Sequence, residues 1–144
     1  MLNIFKRTLF LLLAFPAITA LSQTQAPVNL GPVINSAARD AEPTFTADGQ
    51  TMYFNCFDRE GEEGSDICVS HLEGEDWGEP SIVWEVSTRE HLEVEPLLSP
   101  DGQQLYIMSN RPGGKGGMDI WVSDYVDGKW SSPTNLDAPI NSAY

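Results

Sequence analysis

An internal repeat of 53 residues is the feature that most constrains the fold of this chain. The stretch "SPDGQQLYIMSNRPGGKGGMDIWVS" at residues 99–123 is a second version of "TADGQTMYFNCFDREGEEGSDICVS" at residues 46–70, in the same register. The flanks keep this register, since "INSA" at residues 34–37 returns two periods later at residues 140–143. A sequence unit that recurs at a fixed period indicates a repeat architecture, so both copies are expected to fold alike.

Each period carries the signals of four short strands joined by turns. The predicted strands are 42–46, 51–57, 67–72 and 81–83 in the first copy, and 95–98, 104–109, 120–125 and 130–136 in the second. The Asp-Gly pair at 127–128 predicts a tight hairpin, because both residues tolerate positive φ. A period of this length with four antiparallel strands is typical of a β-propeller blade.

Three stretches of the chain resemble the WD-repeat-like β-propeller repeats of the TolB type. They are residues 99–123, the Trp130-x-x-Pro133-x-x-Leu136 pattern and "NLDAPINSAY" at residues 135–144. The resemblance implies an exported, non-catalytic binding or scaffold propeller of the bacterial cell envelope, which recognises a protein, peptide or glycan at its channel face. The alternative is the N-terminal propeller portion of a secreted hydrolase, a peptidase or glycosidase, whose catalytic domain lies beyond residue 144.

The predicted fold is all-β, with two four-stranded antiparallel blades of an incomplete propeller ring. Blade 1 is predicted at residues 42–94 and blade 2 at residues 95–136, with an orphan strand and linker at 23–41 and the start of a further linker at 137–144. A propeller closes with about 4 to 8 blades. We therefore expect the chain to be a fragment of a longer protein or a subunit of a multimeric ring, and to need further blades or self-association.

The first 22 residues have the pattern of a cleaved signal peptide. Lys6 and Arg7 precede an apolar run at residues 8–18, and "ALS" at residues 20–22 supplies the small residues that signal peptidase reads. The run is too short for a membrane-spanning helix, which needs about 20 apolar residues. The sequence therefore predicts a periplasmic or secreted protein, with no transmembrane span after cleavage.

Net charge excludes one class of partner. Loss of residues 1–22 would remove two of the eight basic residues and none of the 21 acidic ones, which leaves a net charge of −15. Nucleic acid is then not an expected partner, because duplex binding depends on Lys and Arg neutralising phosphates.

Acidic residues precede or open the first strand of each copy and are the candidate functional side chains. Asp40 and Glu42 recur as Glu93 and Glu95. Residues two apart on an extended strand point the same way, so in a closed ring these acids could gather at one mouth of the channel and hold Ca²⁺. The alternative is ordinary hydrogen bonding of these acids to the neighbouring blade.

The remaining repeated residues are interpreted as scaffold. The two Asp-Gly pairs, Asp48-Gly49 and Asp101-Gly102, are expected to form turns. Trp77 and Trp130 are expected to pack on outer strands. Asp66 and Asp119, which open the third strands, are expected to cap loops. Cys56 and Cys68 lie on consecutive predicted strands, where a disulfide is one of two open possibilities.

No catalytic group is predicted within these residues. His71 and His91 are the two histidines, and the chain lacks a Gly-x-Ser-x-Gly elbow. The glycine-rich loop at residues 111–117 lacks the Gly-Lys-Ser/Thr ending of a phosphate-binding loop. The acidic loop at residues 58–66 lacks the spacing of an EF-hand. No cofactor is predicted, and Ca²⁺ is the one candidate ion.

Overall fold

A computed structural model describes residues 26–59, 61 and 63–143, and the predicted signal peptide lies outside these ranges. The described residues form an all-β fold of two curled antiparallel sheets, each with four strand positions, as expected of two blades of an incomplete propeller. No helix within this part of the chain is long and apolar enough to cross a membrane.

Blade 1 contains five strands in chain order. They are β1 (Asp40–Phe45), β2 (Thr51–Phe57), β3 (Ser65–Glu73), β4 (Asp76–Trp77) and β5 (Ser81–Ile82). Blade 2 repeats them as β6 (Glu93–Leu98), β7 (Gln104–Ser109), β8 (Asp119–Val126), β9 (Lys129–Trp130) and β10 (Thr134–Asn135).

The fourth strand position of each blade is divided between two short strands. In blade 2, β9 and β10 both pair with β8, although the sequence predicts one continuous strand at residues 130–136. A buried serine accounts for the interruption, because the Ser123 hydroxyl donates to the carbonyl of Ser131 at 2.6 Å. Ser70 donates in the same way to Gly78 at 2.7 Å in blade 1.

The first strand of each blade begins two residues earlier than predicted. The register of β1 against β2 shifts between Ala41 and Thr44, and that of β6 against β7 shifts at the equivalent place. Glu42 takes a φ of 57° and Glu95 one of 53°, so each Glu-Pro pair forms a β-bulge inside the strand and does not mark its start. The bulge also breaks the alternation from which Asp40 and Glu42 were expected to point the same way.

The turns between strands follow the sequence prediction. Asp127 and Gly128 both have positive φ, at 52° and 83°, and they join β8 to β9 in a tight hairpin. Gly49 and Gly102 share a φ of 69° and close identical turns after the first strands. Their identical geometry follows from the repeated Asp-Gly pairs.

A hydrophobic seam joins the two blades. Its members come from β2, β3 and the following linker of blade 1, and from β6 to β9 of blade 2: Tyr53, Ile67, Val83, Val86, Leu98, Leu105, Ile107, Trp121 and Trp130. Burial of one large apolar side chain stabilises a fold by about 1.5–3 kcal/mol, so this seam is the main source of cohesion between the blades.

The opposite face of blade 1 has its own buried cluster. Met52, Phe54, Ile82 and the two cysteines lie there under Ile34 of the N-terminal linker. A disulfide joins Cys56 to Cys68 across β2 and β3, with their Cα atoms 5.8 Å apart. In the β2 and β3 register Cys56 faces Asp66, so the bond runs diagonally between neighbouring strands.

Candidate functional site

The antiparallel strands give the molecule two ends with different chemistry. The loop end carries the long loops at residues 58–64 and 110–118, together with the linkers that precede each first strand. The turn end carries the tight turns at residues 46–50 and 99–103. The acids singled out in the sequence lie at the loop end or on the first strands.

Asp40 is held at the loop end by an arginine and a serine. Its Oδ1 accepts from Arg59 Nη2 at 3.0 Å, and its Oδ2 accepts from the Ser36 backbone N–H and hydroxyl at 2.6 and 2.7 Å. Arg59 also donates to the carbonyls of Val33 and Ile34. The pair therefore fastens the loop after β2 to the linker before β1.

Glu93 makes the equivalent arrangement in blade 2. Its Oε1 lies 2.9 Å from Arg111 Nη2 and accepts from the Ser109 hydroxyl at 2.8 Å, while its Oε2 accepts from the Thr88 N–H at 2.8 Å. Arg111 also donates to the carbonyl of Val86. Glu93 is fully buried, so this ion pair lies inside the scaffold and not on a ligand surface.

The two arginines were missed by the sequence analysis. They lie 52 residues apart, one short of the period, so a comparison at fixed offset does not align them. Each guanidinium also packs over an aromatic ring, Arg59 on Phe54 at 5.6 Å and Arg111 on Trp121 at 5.5 Å. The sequence did contain a signal for them. Each arginine stands near the start of a long loop, and each blade opens with an acid that could pair with it.

Glu42 links the first strands of the two blades along the channel side. Its Oε1 pairs with Arg39 at 3.1 Å, and its Oε2 accepts from the backbone N–H of Glu95 at 3.2 Å. Thr44 accepts from the N–H of Leu98 at 3.2 Å, one residue out of the repeat register. Glu42 thus hydrogen-bonds the neighbouring blade, whereas Asp40 hydrogen-bonds Ser36 and Arg59.

A metal site is not assembled between these two blades. Within the described ranges, no group of three His, Cys, Asp or Glu side chains is placed to hold a metal ion. Asp40 and Glu93 face their arginines, and Glu42 faces Arg39 and Glu95. A ring of acids completed by further blades stays a prediction.

Asp66 and Asp119 open the third strands and are both buried. Asp119 Oδ2 accepts from the backbone N–H groups of Lys115 and Gly116, and from the Asn135 side chain at 3.3 Å. It thereby closes the glycine-rich loop onto the fourth strand. The Asp66 carbonyl accepts from the buried Asn55 amide at 3.0 Å.

The two repeated tryptophans have different surroundings. Trp130 is buried in the seam, where its Nε1 donates to the Tyr53 hydroxyl at 3.2 Å. Trp77 is half-buried and packs against Phe45, with ring centroids 5.9 Å apart. The difference arises because blade 2 has a neighbour on this side and blade 1 has none among the described residues.

Two exposed residues of β6 have different surroundings. Glu95 lies in the β-bulge of this first strand, whereas Leu97, which is 61% exposed, pairs with Tyr106 on the face of blade 2 that is turned away from the seam. Neither known protein families nor curated proteins match this sequence.

Proposed function

We propose that this chain is part of an exported, non-catalytic β-propeller of the TolB type, which binds a protein, peptide or glycan of the bacterial cell envelope at its channel face. Its place is the periplasm or the medium, reached through a cleaved signal peptide. Further blades, from the same polypeptide or from other copies, complete the ring.

The observation that carries this proposal concerns the outer faces, which are the faces of the two blades that point away from each other. Each outer face carries the repeat equivalents of residues that are buried in the seam. Leu98 is 8% exposed within the seam, whereas Phe45, its equivalent on the outer face of blade 1, is 47% exposed. Ile67 is 0% exposed within the seam, whereas Ile120, its equivalent on the outer face of blade 2, is 36% exposed. Both outer faces thus have the composition of a blade interface and support packing against further blades.

The acids of the loop end support a scaffold and binding role. Asp40, Glu93 and Asp119 use their carboxylates to fix loops and linkers. Rigid strands and fastened loops hold the first strand around Glu95 in place, which is what a recognition surface needs.

Photo-crosslinking in the producing cell tests the binding proposal. p-Benzoylphenylalanine replaces Glu95, which is exposed in the β-bulge of the first strand β6. Glu79, an exposed acid between β4 and β5 at the outermost strand position of blade 1, serves as the control. The proposal predicts a discrete crosslinked partner from position 95 and none from position 79. Identical products from both positions, or no product from either, would contradict binding at the channel face.

Export is tested separately by the N-terminus of the protein recovered from the periplasm or medium. Cleavage after Ser22 makes Gln23 the first residue, which intact-mass analysis detects directly. A protein that retains residues 1–22 would contradict the export proposal.

A further inference from the structure

A groove runs between the blades at the turn end, separate from the exposed bulge at Glu95 on β6. Three adjoining cavities of about 160, 150 and 340 Å³ make up this groove. Tyr125 lines all three. On blade 1 the groove is lined by β2, β3, the turn at residues 46–50 and the linker after β5, and on blade 2 by the turn at residues 99–103, β8 and β9. It is therefore formed without further blades.

Aromatic rings form the centre of the groove. Tyr125 and Trp130 pack with centroids 4.9 Å apart, and Tyr53 meets Trp130 edge-on at 5.8 Å. Trp130 and Tyr53 are buried and hydrogen-bonded to each other, whereas Tyr125 is 40% exposed. Tyr125 is therefore the ring that a ligand would touch, held in place by the two rings behind it.

Two carboxylates line the widest of the three cavities. Asp48 and Asp101 both line it, one from each blade. Each uses Oδ1 within its own turn: Asp48 accepts from the Thr46 hydroxyl at 2.6 Å, and Asp101 accepts from the Ser99 hydroxyl at 2.6 Å. Among the described residues, the Oδ2 atoms of these two carboxylates make no hydrogen bond, so they are available to a ligand.

Both carboxylates stay ionised at any physiological pH. The hydroxyl of Thr46 and the backbone N–H of Gln50 lower the pKa of Asp48, and Ser99 and Gln103 lower the pKa of Asp101 in the same way. The fixed turn geometry thus presents two negative charges beside an aromatic ring.

We propose that this inter-blade groove binds an arginine or lysine side chain of an extended peptide segment from a partner protein, with Tyr125 under the cation and Asp48 and Asp101 accepting its hydrogen bonds. An aromatic face attracts a cation through its quadrupole, and a carboxylate accepts from guanidinium in a paired geometry. The strongly acidic chain, with a formal net charge of −13, favours a basic partner over a neutral one.

Charge distinguishes this occupant from a glycan. A neutral sugar would stack on Tyr125 but would not require two ionised carboxylates. The carboxylates also come from different blades, so a ligand that bridges them contacts both blades. The cation is placed at the cavity of Asp48 and Asp101, because Lys129 lines the cavity of about 160 Å³ and would repel a cation there.

Binding to a defined peptide tests the proposal. The probe is an acetylated, amidated peptide of three Gly-Arg pairs. It is titrated at fixed ionic strength onto residues 23–144 carrying Phe45→Asp/Ile120→Asp, which prevent association through the outer faces, and binding is followed by ¹⁵N NMR at Tyr125 and Gly102. The control probe replaces arginine with citrulline, its neutral isostere. We expect the arginine peptide to shift these signals and the citrulline peptide to leave them unchanged.

Variants locate the binding. Asp48→Asn/Asp101→Asn keeps the Oδ1 acceptors of both turns and removes both charges, and should weaken binding at least about tenfold, the scale of one lost charge-assisted hydrogen bond. Glu75→Gln/Asp76→Asn removes the same charge from exposed residues at the turn end, outside the cavity lining, and should change the dissociation constant less than twofold. Tyr125→Ala tests the ring without altering any charge, and should also weaken binding.

Three results would overturn the proposal. One is equal weakening by the groove and control charge variants, which would mean general attraction to an acidic protein. Another is unchanged binding by Tyr125→Ala. The third is a shift of the same signals by the neutral trisaccharide of N-acetylglucosamine and not by the arginine peptide, which would assign the groove to glycans.

Discussion

Replacement of Arg111 by methionine should destabilise the fold strongly, because it leaves the Glu93 carboxylate buried without its counter-ion. Glu93 is 0% exposed, and Arg111 Nη2 lies 2.9 Å from its Oε1. Methionine keeps much of the side-chain volume, so the change removes charge and hydrogen bonds more than packing. The Ser109 hydroxyl and the N–H and hydroxyl of Thr88 would remain as donors to the carboxylate.

Loss of one partner from a buried ion pair costs about 3–5 kcal/mol. Because three donors to Glu93 remain, we expect the lower part of this range, about 3 kcal/mol. At ~4 °C for each kcal/mol, the melting temperature should fall by more than about 10 °C. Glu93→Gln/Arg111→Met removes both charges and should recover about half of the loss, since no uncompensated charge stays buried.

Urea unfolding followed by tryptophan fluorescence measures these differences, at one protein concentration because association shifts apparent stability. The matched control is Arg39→Met, which breaks the Arg39 to Glu42 pair, whose side chains are 63% and 34% exposed. An exposed pair is worth at most about 1 kcal/mol. Equal losses from Arg111→Met and Arg39→Met, or no recovery in the double variant, would refute the assignment of Glu93 and Arg111 as a buried scaffold pair.

Three further predictions concern the disulfide, the glycine-rich loop and the turn carboxylates. Cys56→Ser/Cys68→Ser should lose about 3 kcal/mol in the same urea assay, from the closed-loop entropy of a 12-residue separation; a loss under about 1 kcal/mol would contradict it. Gly114→Ala should destabilise more than Gly117→Ala, because a methyl at 114 would overlap the Asp119 carboxylate whereas 117 faces open space; equal melting temperatures would count against the Asp119 loop contact. The hydrogen bonds of the turns hold the pKa of Asp48 and Asp101 below the ordinary value of 3.8, so the stability they contribute should be complete above the ordinary pKa and be lost as pH falls through the folded values; carboxyl ¹³C titration that places either pKa at or above 3.8 would contradict this.

The repeat and the turn chemistry made the strands predictable. Asp-Gly pairs marked the turns, and the second and third strands lie where the alternating apolar residues placed them. The Glu-Pro bulges were not predictable, because a positive φ at glutamate opposes the residue's own preference and is imposed by the neighbouring strands. The bulge at Glu42 in turn decides where its carboxylate points, so the supposed alignment of Asp40 and Glu42 failed with it.

The partners of a side chain could be predicted from the sequence only where they recur at the 53-residue offset of the repeat. Arg59 and Arg111 escaped notice because they are displaced by one residue, and loops accommodate such shifts without changing the strands around them. Tyr125 escaped for another reason, since its counterpart at the repeat position is Leu72 and the groove lies where the copies differ. Residues that are identical in the two copies can also differ in burial, as Trp77 and Trp130 do. Burial depends on whether a neighbouring blade covers the residue, and the repeat itself does not provide that neighbour.

Sedimentation velocity of residues 23–144 tests most directly the claim that both outer faces are blade interfaces. We predict that the unaltered chain self-associates, aggregates or stays partly unfolded, because Phe45 and Ile120 lie exposed where their seam equivalents are buried. If it self-associates, Phe45→Asp/Ile120→Asp should shift it toward the monomer by placing a charge on each face. A monomeric unaltered chain with a single cooperative melting transition would contradict the account.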